Sequence, residues 1–147
     1  EILVKKLAEV KADHIATDNN EILITADTVV SIDGKVLGKP ESKEEAIETL
    51  RLLSGRSHAV HTGVMIRCSE SHELFAVRTE VEFLELTETD IIRYVDTGDS
   101  FDKAGSYGIQ TKGALLVKGI KGDYYNVVGL PIACLARKLD SFNIFPS

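Results

Sequence analysis

The chain has 147 residues, 44% hydrophobic and 27% charged, with a net charge of −6. That length predicts a single domain over 1–147 with room for a real core, and no apolar run approaches the length of a membrane span. The negative balance argues against nucleic-acid binding, which needs a basic surface, but admits a small polyanion met by local lysines or a metal ion.

The opening "EILVKKLAEVKA" carries five charges and no apolar stretch of the kind that a signal peptide needs. It lacks an initiator Met and opens in mid-helix, so we expect N-terminal residues to be missing from this chain. Residues 1–17 read as a helix, with Ile2, Leu3, Leu7, Val10 and Ile15 near helical spacing. Residues 21–32 read as a strand, "IDGK" as a hairpin turn and 35–37 as a return strand. "ESKEEAIETLRLLSG" predicts a helix N-capped by Ser42, with Glu45 at the capping-box position and Ala46, Leu50 and Leu53 on one face. Residues 57–68 and 73–86 predict an antiparallel pair of strands joined around "SESH". "TETDIIRYVDTG" predicts a helix capped by Thr87, with Asp90 three residues on, and stopped at Gly98. "DKAGSYGIQTKG" fits neither element. Residues 114–120 and 124–128 read as strands, and 131–141 as a final helix. The mixture predicts an α/β or α+β domain with a mixed sheet and flanking helices.

Several residues carry candidate chemistry. Asp27 interrupts an apolar strand, where a carboxylate is costly to desolvate unless it is paired, hydrogen-bonded or metal-bound. It is either a functional group or a strand-end Asp bonded to backbone N–H groups. In "GKVLGKP", Gly34, Gly38 and Lys39 approach a phosphate-binding loop, but the spacing is one residue short and Pro40 follows the lysine, which does not fit a Walker A motif. Lys39 is either aimed by Gly38 and Pro40 or a solvated turn lysine. Ser106 in "AGSYG" lacks the strand and helix of a nucleophile elbow. The Gly-rich stretch fits a wall packed against a ligand, with Gln110 able to read a polar ring edge through its amide. His14, His58, His61 and His72 show no metal-ligand spacing, and His58 and His61 point to opposite faces of a strand. Cys68 and Cys134 form no CxxC pair and read as free thiols in a reducing compartment. Asp123 and Asn126 could support a site from behind.

The segments "ADTVVSIDGKVLGKP", "EEAIETLRLLSGRSHAVHTGV" and "TGDSFDKAGSYGIQTKGALLVKGIKGDYYNVVGLP", in that order, resemble the Maf family. The resemblance runs from "LAEVKA" to the final helix. It implies a cytoplasmic nucleoside triphosphate pyrophosphatase with a central cleft, akin in fold to the inosine triphosphate pyrophosphatases. Such an enzyme hydrolyses a nucleotide to its monophosphate and pyrophosphate with a divalent cation, Mg²⁺ or Mn²⁺. By motif, Asp27 is the catalytic carboxylate and the metal ligand, Lys11 and Lys39 are the phosphate-side lysines, and Thr28 and Gln110 match positions linked to base choice. "ADT" with "YGIQ" resembles the branch that prefers dTTP and UTP. The family also suggests a homodimer. Its N-terminal strand and its S-x-S-P-R-R loop, which supplies arginines to the phosphates, have no counterpart here. The same pocket would serve a nucleotide-binding regulator of septum formation, and a general phosphatase is a third reading.

Overall fold

The computed structural model describes residues 1–15, 21–69 and 71–144. The elements in order are α1 (Ile2–Asp13), β1 (Ile22–Ile32), β2 (Lys35–Leu37), α2 (Lys43–Leu53), β3 (Ser57–Cys68), β4 (Ser71–Phe83), α3 (Glu88–Val95), β5 (Val117–Lys121), α4 (Tyr124–Val128) and α5 (Ile132–Leu139). Short 3₁₀ turns lie at Ala104–Ser106, Lys112–Leu116 and Asp140–Phe142. The strands form one five-stranded sheet in the order β2-β1-β3-β4-β5, flanked by helices, so the α/β expectation holds. β1 pairs β2 antiparallel, as β4 pairs β5. Two residues join the neighbouring strands β3 and β4, a connection open only to antiparallel strands. No helix among the described residues is long and apolar enough to cross a membrane.

Local chemistry accounts for the element ends. Asp33 and Gly34 both adopt positive φ, +53° and +76°, the turn geometry that "DG" favours between two strands. At α3, Thr87 Oγ1 accepts from the Asp90 amide while the Asp90 carboxylate accepts from the Thr87 amide, which completes a capping box. At α2 the box is only half made. Ser42 Oγ accepts from the Glu45 amide at 3.1 Å, but the Glu45 carboxylate reaches Glu41 instead of Ser42. The strand expected at 124–128 is a helix. "YYNVV" has strand propensity, yet Asn126 is drawn inward to donate Nδ2 to the Val77 carbonyl at 3.0 Å, and tertiary bonding overrides propensity there. Residues 114–116 belong to a 3₁₀ turn, so β5 starts only at Val117. β4 starts at Ser71, which puts His72 in a strand and not in a loop.

The chain divides into two compact units, and β1, β3 and β4 supply residues to both. One unit comprises Glu1–Thr28, His61–Arg78 and Tyr124–Ser147. Within it, α1 covers one face of the strands with Ala8 and Ala12 against Met65, Leu23 and Leu74. α5 covers the other face, with Leu135 and Cys134 packed with Val64, Ile66 and Phe75. The other unit comprises Val29–Val60 and Thr79–Asp123. Its buried residues include Leu50 and Leu53 of α2, Ile91 and Val95 of α3, and Val81 and Phe83 of β4. His58, Phe83 and Tyr107 meet edge to face in this unit, with ring centroids 4.7–5.4 Å apart.

Candidate active site

In the unit that holds the first 28 residues, α1 and β1 run side by side, and their side chains meet in step. Thr25 Oγ1 donates to the Ala8 carbonyl at 2.6 Å. One helical turn further on, Lys11 meets Asp27: its ammonium donates to the Ala26 carbonyl at 2.9 Å and sits 3.4 Å from Asp27 Oδ1. The Thr28 amide donates to the same Oδ1 at 3.1 Å. Asp27 Oδ2 has no hydrogen-bond partner among the described residues. The desolvation expected for Asp27 is not what holds it, because 27% of its side chain is exposed, as is 53% of Lys11. What the structure provides is a half-buried carboxylate, oriented on one oxygen and open on the other.

Strand alternation sends Thr28 the opposite way. Asp27 lies on the α1 face with Thr25, whereas Thr28 faces Thr62 and Asn126. Thr62 Oγ1 donates to the Asn126 carbonyl at 3.0 Å, which commits its only proton, so the 2.8 Å bond between the two hydroxyls runs from Thr28 to Thr62. Thr28 therefore presents only lone pairs to any further partner. The fold brings Lys11 to Asp27, whereas the side chain of Thr28, next to Asp27 in the chain, lies on the other face of the strand.

Lys39 and Gln110 belong to the second unit. Gly38, Lys39 and Pro40 follow β2, and the Gly38 carbonyl accepts from the Gly105 amide at 3.2 Å. Pro40 is buried while Lys39 is exposed, and the Lys39 ammonium has no hydrogen-bond or ion-pair partner among the described residues. Gln110 is exposed in the irregular stretch after Tyr107. Gly105 and Ser106 both sit at positive φ, +73° and +68°, and Ser106 is fully buried, which leaves it no role as an exposed nucleophile. Asp99, which the sequence did not single out, anchors this stretch. Its only sequence signal is the spacing of four to Lys103.

Other titratable groups answer to their surroundings. Burial lowers His58 to about 4, and its Nε2 is 2.7 Å from the Tyr107 hydroxyl. Burial also pushes the Tyr107 phenol upward. Both cysteines are free thiols. Among the described residues no group of three or more His, Cys, Asp or Glu is placed to hold a metal ion. Mg²⁺ and Mn²⁺ prefer oxygen ligands, and Mg²⁺ at nucleotide sites is held by one or two carboxylates plus substrate phosphates, with no need of an all-protein cage. The open Asp27 oxygen fits that donor chemistry.

The family model for Maf-like protein matches residues 1–142. The chain is 54% identical over 144 residues to a dTTP/UTP pyrophosphatase of Bacillus pumilus, covering 97% of this chain and 76% of that protein. It is 52% identical over 143 residues to a dTTP/UTP pyrophosphatase of Bacillus cereus, covering 97% and 75%. A dTTP/UTP pyrophosphatase of Bacillus velezensis is 54% identical over 142 residues, covering 96% and 75%.

Proposed function

The chain belongs to the Maf family, and from that membership we propose that it is a nucleoside triphosphate pyrophosphatase acting on dTTP and UTP. The observation that carries the reading is the Lys11–Asp27 pair in a chain more than half identical to relatives of that name. We take the reaction to be hydrolysis at the α-phosphorus. The oxygen of water bonds to that phosphorus and the bond to the bridging oxygen breaks. Pyrophosphate leaves with the bridging oxygen, and a water proton passes to Asp27.

In this reading Asp27 Oδ2 faces the water, while Lys11 and the Thr28 amide hold Oδ1 and fix the carboxylate plane. Lys11 and Lys39 meet the phosphates as point charges. Gln110 and Thr28 are assigned to the base, as the family resemblance implies. Asp27 would also be the protein ligand of a divalent cation, Mg²⁺ or Mn²⁺, which when bound supplies positive charge to the phosphate oxygens and a more acidic water. A triphosphate brings about four negative charges to a protein already negative, so such compensation is needed. The same membership supports a single domain, a homodimer and a cytoplasmic setting.

The test is a turnover panel with dTTP, UTP, CTP, GTP and 7-methyl-GTP, with pyrophosphate and phosphate scored separately. Pyrophosphate from dTTP and UTP is expected. Asp27→Asn is expected to keep the fold and lose at least about 100-fold in rate, the usual share of a general base. Near-wild-type turnover in that variant would refute the assignment of Asp27. Nucleotide binding without any turnover would favour a regulator, and phosphate as the only product a general phosphatase.

A further inference from the structure

Asp99 lies just beyond α3, and 15% of its side chain is exposed. Its Oδ2 accepts from the Tyr94 hydroxyl at 2.6 Å and from Thr111 Oγ1 at 2.5 Å, and its Oδ1 accepts from Lys103 Nζ at 3.1 Å. Lys103 also donates to the Asp99 carbonyl and to Asp102, both at 2.9 Å. The Tyr94 hydroxyl in turn accepts from the Gly108 amide at 3.1 Å. The carboxylate thus ties a helix to two points of the segment 103–111, Lys103 and Thr111, and Tyr94 adds a third at Gly108. Gln110 sits between two of those points, Gly108 and Thr111.

The anchoring leaves little slack. A Cβ at Gly108 would run into Lys103 Cε and lie 2.8 Å from Thr111 Oγ1, and one at Gly113 would collide with the Gly108 carbonyl. Only one short 3₁₀ turn, Ala104–Ser106, gives 103–111 regular structure, and a second follows at Lys112–Leu116; both Gln110 and Lys112 are exposed. Apolar packing holds the stretch at Tyr107, and the polar contacts hold it on either side of Gln110. The hub needs an ionised group, because a carboxylate accepts three donors without a proton of its own. Burial pushes the Asp99 carboxyl up, but the bonds from Thr111, Tyr94 and Lys103 outweigh it and hold it below its ordinary value. Burial and the bond to Asp99 raise the Tyr94 phenol, so it stays a donor.

We propose that Asp99 is a positioning residue: it holds 103–111 so that the Gln110 amide meets the polar edge of a nucleotide base in one orientation. The proposal rests on the nucleotide reading above. It predicts that loss of the charge is felt in base affinity, through Gln110, and hardly in the chemical step.

The experiment compares Asp99→Asn, Asp99→Glu, Gln110→Ala and the double variant Asp99→Asn/Gln110→Ala. It measures pyrophosphate release from dTTP and UTP, together with amide exchange. Asp99→Asn is expected to raise KM about tenfold, the worth of one charge-assisted bond, with kcat changed less than about threefold, the pattern of lost uniform binding. Asp99→Glu should recover part of the loss. In the Gln110→Ala background Asp99→Asn should add little, since residues acting as one unit are not additive. Amides of 104–111 should exchange faster in Asp99→Asn. Thr111→Val removes a single leg of the hub and should give the same pattern, more weakly, should Asp99→Asn not fold. Additive effects, or exchange unchanged from wild type, would overturn the proposal. No pyrophosphate from the wild-type protein would instead overturn the function reading, and exchange in Asp99→Asn would then decide the positioning claim alone.

Discussion

Substitution of Gly63 by alanine tests how α1 is seated. Gly63 lies in β3, and its φ lies outside the left-handed region, so its backbone makes no demand for glycine. Space does. A Cβ there would run into the Val4 carbonyl group and lie 2.7 Å from the Lys5 amide nitrogen, all backbone atoms of α1. Backbone cannot swing aside as the tip of a side chain can, so α1 must lift from the strand. What opposes lifting is the burial of Val4, Ala8 and Ala12, all fully covered, and the 2.6 Å bond from Thr25 to the Ala8 carbonyl. Overpacking of this kind costs about 1–3 kcal/mol, and part of a valine's burial, worth about 1.5–3 kcal/mol in full, is lost as well. We expect Gly63→Ala to lose about 3 kcal/mol, a large share of the roughly 5–15 kcal/mol that holds a typical protein folded. Urea unfolding measures the loss as a lower midpoint at unchanged slope. Because α1 carries Lys11, pyrophosphate release should fall at temperatures where the variant is still folded. A loss of less than about 0.5 kcal/mol, the level of a neutral surface change, would refute the reasoning.

Lys39→Ala should leave stability within about 0.5 kcal/mol, since its ammonium has no partner among the described residues, and raise KM for dTTP roughly tenfold or more, as loss of a charge-assisted contact does. An unchanged KM would remove Lys39 from the site. Thr62→Val leaves the Asn126 carbonyl and the Thr28 hydroxyl without Thr62 between them, and should cost about 1–3 kcal/mol in chemical denaturation. Thr62→Ser should restore most of it. His58, lowered to about 4 by burial, stays neutral in the folded protein while the unfolded chain takes up a proton near pH 6.5. Its contribution is therefore complete above about pH 6.5 and is lost as the pH falls towards 4, by on the order of 3 kcal/mol at most. His58→Gln should flatten unfolding free energy over that window, and an unaltered pH profile would count against the assignment.

Much of the fold was legible because periodicity and caps act locally. β1, α2, β3 and α3 fall within a residue or two of their expected ends, and both Ser42 and Thr87 cap as their spacing implies. The helix at Tyr124–Val128 was not legible, since what overrides its strand propensity is a bond from Asn126 to Val77, 49 residues away. In the candidate site, Asp27 stood out as a carboxylate among apolar residues, and "EVKA" became meaningful only through the family resemblance. No local pattern announces that Lys11 meets Asp27, because the pairing depends on how α1 lies along β1. Asp99 escaped notice for a similar reason. An acid after a glycine in a loop is ordinary, and its three donors come from positions five residues before it and four and twelve after.

The make-up of the two compact units bears on how the protein is synthesised. The unit with Lys11 and Asp27 draws on three separate stretches, the last beginning at Tyr124, while the other is complete by Asp123. On a ribosome the chain emerges from its N-terminal side at about 5–20 residues per second. Residues 29–60 and 79–123 are thus all present while the unit that holds Asp27 still lacks Asn126, Leu135 and the helices that carry them. The half that bears the carboxylate is the last to be completed, and a chain released early, just past Asp123, would hold Lys39 and Gln110 in a finished unit with Asp27 in an unfinished one.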